Sequence, residues 1–270
     1  MKQKIIIFGL VLFSGFLGCT KTNNSEFTDS PIVESYLLPG DYPRVKISRQ
    51  IPFSSSVNYS SDDINALSIQ ITHNNISSTL TPVGEGQYVD NTLKVIEGER
   101  YDLSFVYNLK NVTAYTKVPS KPLNFTQSVT SISLEKRDST SGPPSMGSMP
   151  DPISLTWKND DGSYYIVVIE NIATTLVPIR DFGDRALPGN IFKKPPTTAS
   201  GLELRSMEFQ YFGKHRLVLY HVLPDYASLY SENQTSSLNL TNPSTSIMNG
   251  YGIFTGLNSD TLYITVNQLK

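Results

Sequence analysis

Leu67-Ser68-Ile69-Gln70-Ile71-Thr72 decides the fold, because its apolar and polar side chains alternate with a period of two. Such alternation is typical of a β-strand with one buried face. The same pattern recurs on both sides, at residues 32–38, 44–47, 101–105 and 113–118. Turn-forming groups such as Pro39-Gly40-Asp41 and Gly84-Glu85-Gly86 separate these segments. Several short strands at this spacing predict an antiparallel sandwich.

Alternation continues beyond Pro119-Ser120-Lys121-Pro122, where two prolines end the preceding strand and mark a domain boundary. Further strands are predicted at residues 129–134, 153–157, 164–170, 202–212, 216–222 and 261–266, with a hairpin turn at residues 159–162. Residues 224–230 have helical spacing. We therefore expect an all-β fold with two antiparallel β-sandwich-like domains. They span residues 29–119, immunoglobulin- or transthyretin-like, and 123–270, with one short helix.

The core of this fold is predicted from the inward positions of the alternating segments. We expect burial of Ile69, Ile71, Leu103, Phe105, Trp157, Val167, Leu217, Leu262 and Ile264.

The N-terminal residues have the features of a bacterial lipoprotein signal peptide, residues 1–18. Lys2 and Lys4 precede an apolar run, residues 5–16, which is shorter than the roughly 20 residues that a membrane-spanning helix needs. The run ends in Leu17-Gly18-Cys19, a lipobox, and Cys19 is the only cysteine. We expect cleavage before Cys19, acylation of Cys19 and a flexible tether over residues 19–28. An ordinary signal peptide followed by an incidental cysteine is the alternative.

Composition narrows the classes of function. Without residues 1–18, the chain keeps 20 basic and 24 acidic side chains, so no excess of basic residues is available for nucleic acid. With Cys19 acylated, no thiol is left for a disulfide, a zinc-thiolate site or a nucleophile. Signatures of a P-loop, a nucleophile elbow or a dinucleotide fold do not occur, so no cofactor is predicted.

The histidines His215 and His221 are the main candidates for chemistry. They lie six residues apart, so both can face one side of a strand with Leu217 and Leu219 between them. No third ligand follows at a recognisable spacing, so we predict no metal site and place both histidines at the edge of the core or at the surface. The alternative is a periplasmic or surface hydrolase that uses one of them with a nearby carboxylate.

Binding residues are predicted in two long loops, residues 138–152 and 180–200, because long segments without periodicity in a compact domain are often functional. The second loop begins with a charged and aromatic group, Arg180, Asp181, Phe182, Asp184 and Arg185. In residues 250–256 we expect the glycines to allow sharp bends and Tyr251 and Phe254 to be buried. A loop that grips a ligand through Tyr251 and Phe254 is the alternative.

Several motifs carry a family resemblance when taken in order. They are Ser30-Pro31-Ile32-Val33-Glu34-Ser35-Tyr36-Leu37, Asn65-Ala66-Leu67-Ser68-Ile69, Gly98-Glu99-Arg100-Tyr101-Asp102-Leu103, Thr113-Ala114-Tyr115-Thr116-Lys117-Val118-Pro119 and Asn249-Gly250-Tyr251-Gly252-Ile253-Phe254. This order resembles a family of Bacteroidota lipoproteins of unassigned function, often encoded beside TonB-dependent transporters. Asp138-Ser139-Thr140 is similar to the O-glycosylation motif of that phylum, with Ser139 as the modified residue.

The resemblance implies an outer-membrane location on either its periplasmic or its outer face. We expect a non-catalytic accessory lipoprotein that binds a ligand or a TonB-dependent transporter through its loops.

Overall fold

The computed structural model describes residues 29–50, 62–138, 150–181, 186–232 and 245–269. The predicted signal peptide and tether lie outside these ranges. So do the candidate residues Cys19, Ser139, Phe182, Asp184 and Arg185.

The described residues form mostly strands, which confirms the all-β prediction. The strands are β1 (Pro31–Leu37), β2 (Arg44–Arg49), β3 (Gln70–His73), β4 (Ile76–Thr79), β5 (Thr81–Gly84), β6 (Gln87–Val89), β7 (Arg100–Tyr107), β8 (Lys110–Lys117), β9 (Leu123–Gln127), β10 (Ser131–Leu134), β11 (Ile153–Lys158), β12 (Tyr164–Asn171), β13 (Val177–Pro178), β14 (Ile191–Lys193), β15 (Gly201–Leu204), β16 (Tyr211–Val222) and β17 (Tyr251–Gln268). The helices are a single turn, α1 (Asp62–Asn65), and the predicted α2 (Pro224–Glu232). No helix among the described residues is long and apolar enough to cross a membrane.

Three sheets organise these strands. The largest follows the order β14-β12-β16-β17-β1-β2-β6-β5, with β10 beside β17 and β13 beside β16. The two smaller sheets have the orders β15-β11-β9 and β4-β3-β7-β8. Strand β17 runs parallel to β1 and β10, and the other pairings are antiparallel.

The two larger of three hydrophobic clusters among the described residues lie between the sheets, as expected for sandwiches. The first contains Ile71, Leu103 and Phe105, and the second contains Trp157, Val167, Leu217 and Ile264. Of the predicted core residues, Leu262 alone is only partly buried.

Strand β17 contributes to both cores. Its first residues pair with β1, and Phe254 packs in the first core. Its later residues pair with β16, and Ile264 packs in the second. The C-terminal end of the chain therefore helps to build the N-terminal sandwich.

The predicted hairpin at residues 159–162 is wrong. Strand β11 pairs with β9 and β15, whereas β12 pairs with β14 and β16. The turn therefore carries the chain from one sheet to the other. The ring centroids of Trp157 in β11 and Tyr165 in β12 are 5.7 Å apart. Asn159 holds the turn by accepting a hydrogen bond from the Ser163 amide at 3.0 Å and donating to the Ser163 carbonyl at 2.9 Å.

The predicted strand over residues 202–212 is interrupted. A 3₁₀ turn, Ser206–Glu208, separates β15 from β16. The Glu208 carboxylate accepts a hydrogen bond from the Arg205 amide at 3.2 Å and pairs with Lys194, which holds the chain in this bend. Conversely, the predicted loop at residues 180–200 contains β14, whose residues pair with β12.

Candidate functional site

The outer face of the largest sheet carries a groove of about 390 Å³ beside α2. Its apolar wall is formed by Leu38, Ile166, Val168, Ile191, Val222 and Leu257. Four tyrosines line it as well, Tyr36, Tyr220, Tyr226 and Tyr230. The charged residues are Glu170, Lys193 and Arg216. We call this feature the tyrosine groove.

The groove exists because β12 and β16 are apolar on both faces. Val167 and Ile169 of β12 point into the second core, while the intervening Ile166 and Val168 face the groove side. In β16, Leu217 likewise enters the second core. Strands buried on both faces read as nearly continuous apolar runs. Such apolar runs are present at residues 165–169 and 217–219. The sequence-based prediction assigned one buried face to each strand and therefore did not include the second apolar face of β12 and β16.

Helix α2 covers part of this outer face and is fixed by its first turn. Asp225 Oδ1 accepts hydrogen bonds from the Tyr226 amide at 2.8 Å and from Thr255 Oγ1 at 3.0 Å. Thr255 is fully buried in β17, so this contact attaches the start of the helix to the sheet. Burial raises the pKa of the Asp225 carboxyl. The helix therefore holds Tyr226 and Tyr230 in a defined position over the groove.

The tyrosine rings contact one another. Tyr226 meets Tyr36 of β1 edge to face, with ring centroids 5.8 Å apart, and meets Tyr230 at 6.1 Å. Burial raises the pKa of Tyr226 far above its ordinary value, and the neighbouring phenols of Tyr230, Tyr36 and Tyr220 raise it further. Burial, followed by nearby Glu34, also raises the pKa of Tyr36. The phenols of Tyr36 and Tyr226 are therefore neutral hydrogen-bonding groups at physiological pH.

The charged residues lie together at one end of the groove. Arg216 Nε donates to Glu170 Oε2 at 3.0 Å, and Arg216 Nη2 contacts the same oxygen. The two residues are directly opposite in the pairing of β12 with β16. This hydrogen bond raises the pKa of the Arg216 guanidinium. Lys193, on the neighbouring β14, has no carboxylate partner among the described residues.

A second cavity of about 370 Å³ lies at the other side of Tyr230. Its walls are rich in proline, with Pro195, Pro196 and Pro224 beside Tyr164. It contains no charged lining residue among the described parts of the chain, so the tyrosine groove offers the more varied chemistry.

His215, the first of the two candidate histidines, is buried and held by hydrogen bonds. Its Nδ1 lies 3.0 Å from the Gly213 carbonyl, which can only accept, so Nδ1 carries the proton. Its Nε2 consequently accepts a hydrogen bond from Asn171 Nδ2 at 3.2 Å. His215 is 2% exposed, and burial lowers the pKa of its imidazole. His215 is therefore a neutral side chain with both nitrogens engaged.

His221 lies on the same face of β16, as predicted, but far from His215. Six residues of extended strand separate their Cα atoms by about 20 Å, so the two rings cannot bind one metal ion. His221 Nδ1 donates to the Ser120 carbonyl at 2.8 Å, and the ring stacks on Tyr165 at 4.8 Å. Hydrogen bonds from Ser163 lower the pKa of nearby Asp161, with a smaller contribution from His221. Within the described ranges, no three His, Cys, Asp or Glu side chains are arranged to hold a metal.

Four of the other predicted binding residues, Arg180, Asp181, Tyr251 and Phe254, fall within the described ranges. Arg180 and Asp181 are exposed next to Arg137, whose carbonyl accepts from the Asp181 amide at 2.8 Å. Tyr251 begins β17 and is partly buried, and Phe254 is fully buried in the first core. None of these four lines the tyrosine groove.

No protein-family model and no curated protein matches this chain. The function is therefore inferred from the chemistry of the tyrosine groove and from the features of the sequence.

Proposed function

We propose that this chain is a lipid-anchored accessory protein of the bacterial outer membrane that binds a small ligand in the tyrosine groove. The groove carries the proposal, because its volume of about 390 Å³ is in the range of small-molecule sites. Its lining of aliphatic and tyrosine side chains with a few charged groups is also typical of such sites. The lipobox at Cys19 supports the anchor, and the family resemblance supports a TonB-dependent transporter as the partner.

The chemistry of the groove favours binding over turnover. Tyr36 and Tyr226 offer flat apolar faces and neutral hydroxyl groups, which suit recognition of a ligand with an apolar body. The carboxylate of Glu170 is engaged by Arg216, so it serves to orient the guanidinium. A ligand captured here would be handed to the transporter unchanged.

Binding can be tested with the neutral fluorescent probe 2-naphthaleneethanol. We expect saturable binding to the mature protein, and we expect Tyr226→Ala to weaken it about two- to tenfold, the worth of one aromatic contact. Tyr115→Ala is the matched control, because Tyr115 is an exposed tyrosine of β8 that does not line the groove. Equal binding by both variants and the parent protein would contradict the assignment of the groove.

The partner can be tested by affinity purification of the detergent-extracted protein from its native membrane. We expect an outer-membrane transporter to be recovered with it, and we expect mass spectrometry to identify a small molecule that Tyr226→Ala loses. Recovery of the protein alone would remove the transporter from the proposal.

A further inference from the structure

We infer that the ligand of the tyrosine groove is an amphipathic anion, whose apolar body lies beside α2 and whose carboxylate or phosphate lies at Lys193 and Arg216. This inference rests on the proposed function, since it assigns a chemical class to the ligand of the same groove.

The register of the strands gives the groove a polarity. Val222 pairs with Leu257 at one end, which is the apolar end covered by α2. The next row along the sheet places Ile166 opposite Tyr220. Successive rows on one face are two residues, or about 7 Å, apart. The surface of the groove therefore changes from a purely aliphatic row to a row that also carries a tyrosine hydroxyl.

The charged end follows within the next two rows. Lys193 pairs with Val168, and Glu170 pairs with Arg216 one row further. The cations are thus about 7 to 14 Å from the row of Ile166 and Tyr220. A ligand with a bicyclic or medium-chain apolar body reaches from one end to the other.

The charge balance at this end favours an anion. Lys193 and Arg216 contribute two positive charges, and Glu170 is the single acidic residue among the lining residues. The Glu170 carboxylate is used by Nε and Nη2 of Arg216. Within the described residues, Nη1 of Arg216 and the ammonium of Lys193 have no carboxylate partner. Both groups are donors that suit a carboxylate or phosphate.

A cationic ligand fits less well. Aromatic rings attract cations, and Tyr36, Tyr226 and Tyr230 lie close together. The two cationic side chains of the lining oppose that attraction, since like charges in one site repel. A neutral ligand would leave the excess positive charge uncompensated.

Three probes that share a naphthalene body distinguish these possibilities. They are 2-naphthylacetate, 2-naphthaleneethanol and 2-naphthylethylammonium, each titrated into the mature protein at low salt. We expect the acetate to bind about two- to fivefold more tightly than the alcohol, the range of one exposed ion pair, and the ammonium to bind most weakly. The advantage of the acetate should shrink as salt is raised.

Substitutions at Lys193 identify the source of the preference. Lys193→Gln should bring the affinity for the acetate close to that for the alcohol, and Lys193→Glu should favour the ammonium over the acetate. Lys158→Gln is the matched control, because Lys158 is an exposed lysine of β11 outside the groove. Equal affinity for the acetate and the alcohol, or tightest binding of the ammonium, would overturn the inference that the ligand is an anion. The assignment of the groove as the binding site would still stand. If none of the probes bound, the groove assignment itself would fall, and the anion with it.

Discussion

Trp157, the single tryptophan of the chain, is a buried member of the second core. It is 4% exposed, and its ring lies 6.4 Å from that of Phe125 and 5.7 Å from that of Tyr165. Its indole N–H has no acceptor among the described residues. Trp157 therefore acts through its volume, in agreement with the sequence-based prediction.

Truncating Trp157 to Ala should lower the free energy of unfolding by about 3–5 kcal/mol, because the vacated space cannot close completely. Trp157→Phe should cost clearly less, since it keeps an aromatic ring and removes an unpaired donor. Chemical denaturation followed by circular dichroism measures both. Equal losses for the two variants would contradict a role of Trp157 through the volume of its ring.

His215 gives the protein a predictable dependence on pH. Burial lowers its pKa in the folded state, so the unfolded chain takes up a proton near the ordinary value of about 6.5 while the folded chain does not. Its contribution to stability is therefore complete above about pH 6.5 and is lost progressively as the pH falls toward the lowered folded-state pKa.

His215→Gln removes the titrating group and should flatten the decline in stability as the pH falls below about 6.5. The free energy of unfolding at several pH values is the measurement. Parallel profiles for the variant and the parent protein would contradict a lowered pKa at His215.

At the level of elements, β17 approaches its neighbours closely enough to require glycine. Gly252 has a φ of +97°, and a Cβ atom there would lie 2.0 Å from the Val33 carbonyl oxygen of β1. Gly40 has a similar φ of +85°, but no atom lies within 4 Å of a Cβ added to it. Comparing substitutions at Gly252 and Gly40 therefore separates the free-energy cost of the backbone conformation from that of a steric clash.

Gly252→Ala should therefore destabilise the protein more than Gly40→Ala, by about 1–3 kcal/mol. Both variants are strained by the positive φ, and only the first must also displace β1. Thermal and chemical unfolding of the two proteins give the difference. Equal destabilisation would mean that β1 and β17 are not in close contact at this position.

At the level of the whole molecule, the first core depends on residues in and next to β17. Ile247 and Phe254 belong to the first core, although they are more than 120 residues beyond its other members. A chain of residues 29–119 lacks both side chains and the parallel partner of β1. We expect that chain to show no cooperative unfolding transition, in contrast to the mature protein. A sharp transition in the short chain would make the N-terminal sandwich an independent domain.

The proposed lipid anchor would set the location of the whole molecule. If Cys19 is the acylated residue, Cys19→Ala should move the protein from the membrane fraction to the soluble fraction, or leave it unprocessed. Cell fractionation and mass spectrometry of the mature N-terminus provide the measurement. An unmodified Cys19 or a mature N-terminus elsewhere would remove the outer-membrane proposal.

The amino-acid sequence by itself determined several of the strands, such as β3 and β7, and one buried face of each. The alternation at residues 67–72 and 101–105 places Ile71 and Leu103 in a core, because successive side chains of a strand point to opposite faces. The spacing of Tyr226 and Tyr230 likewise predicted α2. These are local properties, so they can be read from neighbouring residues.

Only the tertiary structure decided which strands are neighbours. Alternation cannot tell that β1 pairs with β17, or that β11 and β12 lie in opposing sheets. The tyrosine groove depends on such pairings, because Tyr36, Lys193 and Tyr226 come from three distant parts of the chain. Contacts of this kind follow from the packing of whole sheets and from the closure of long loops, and no single segment encodes either of them.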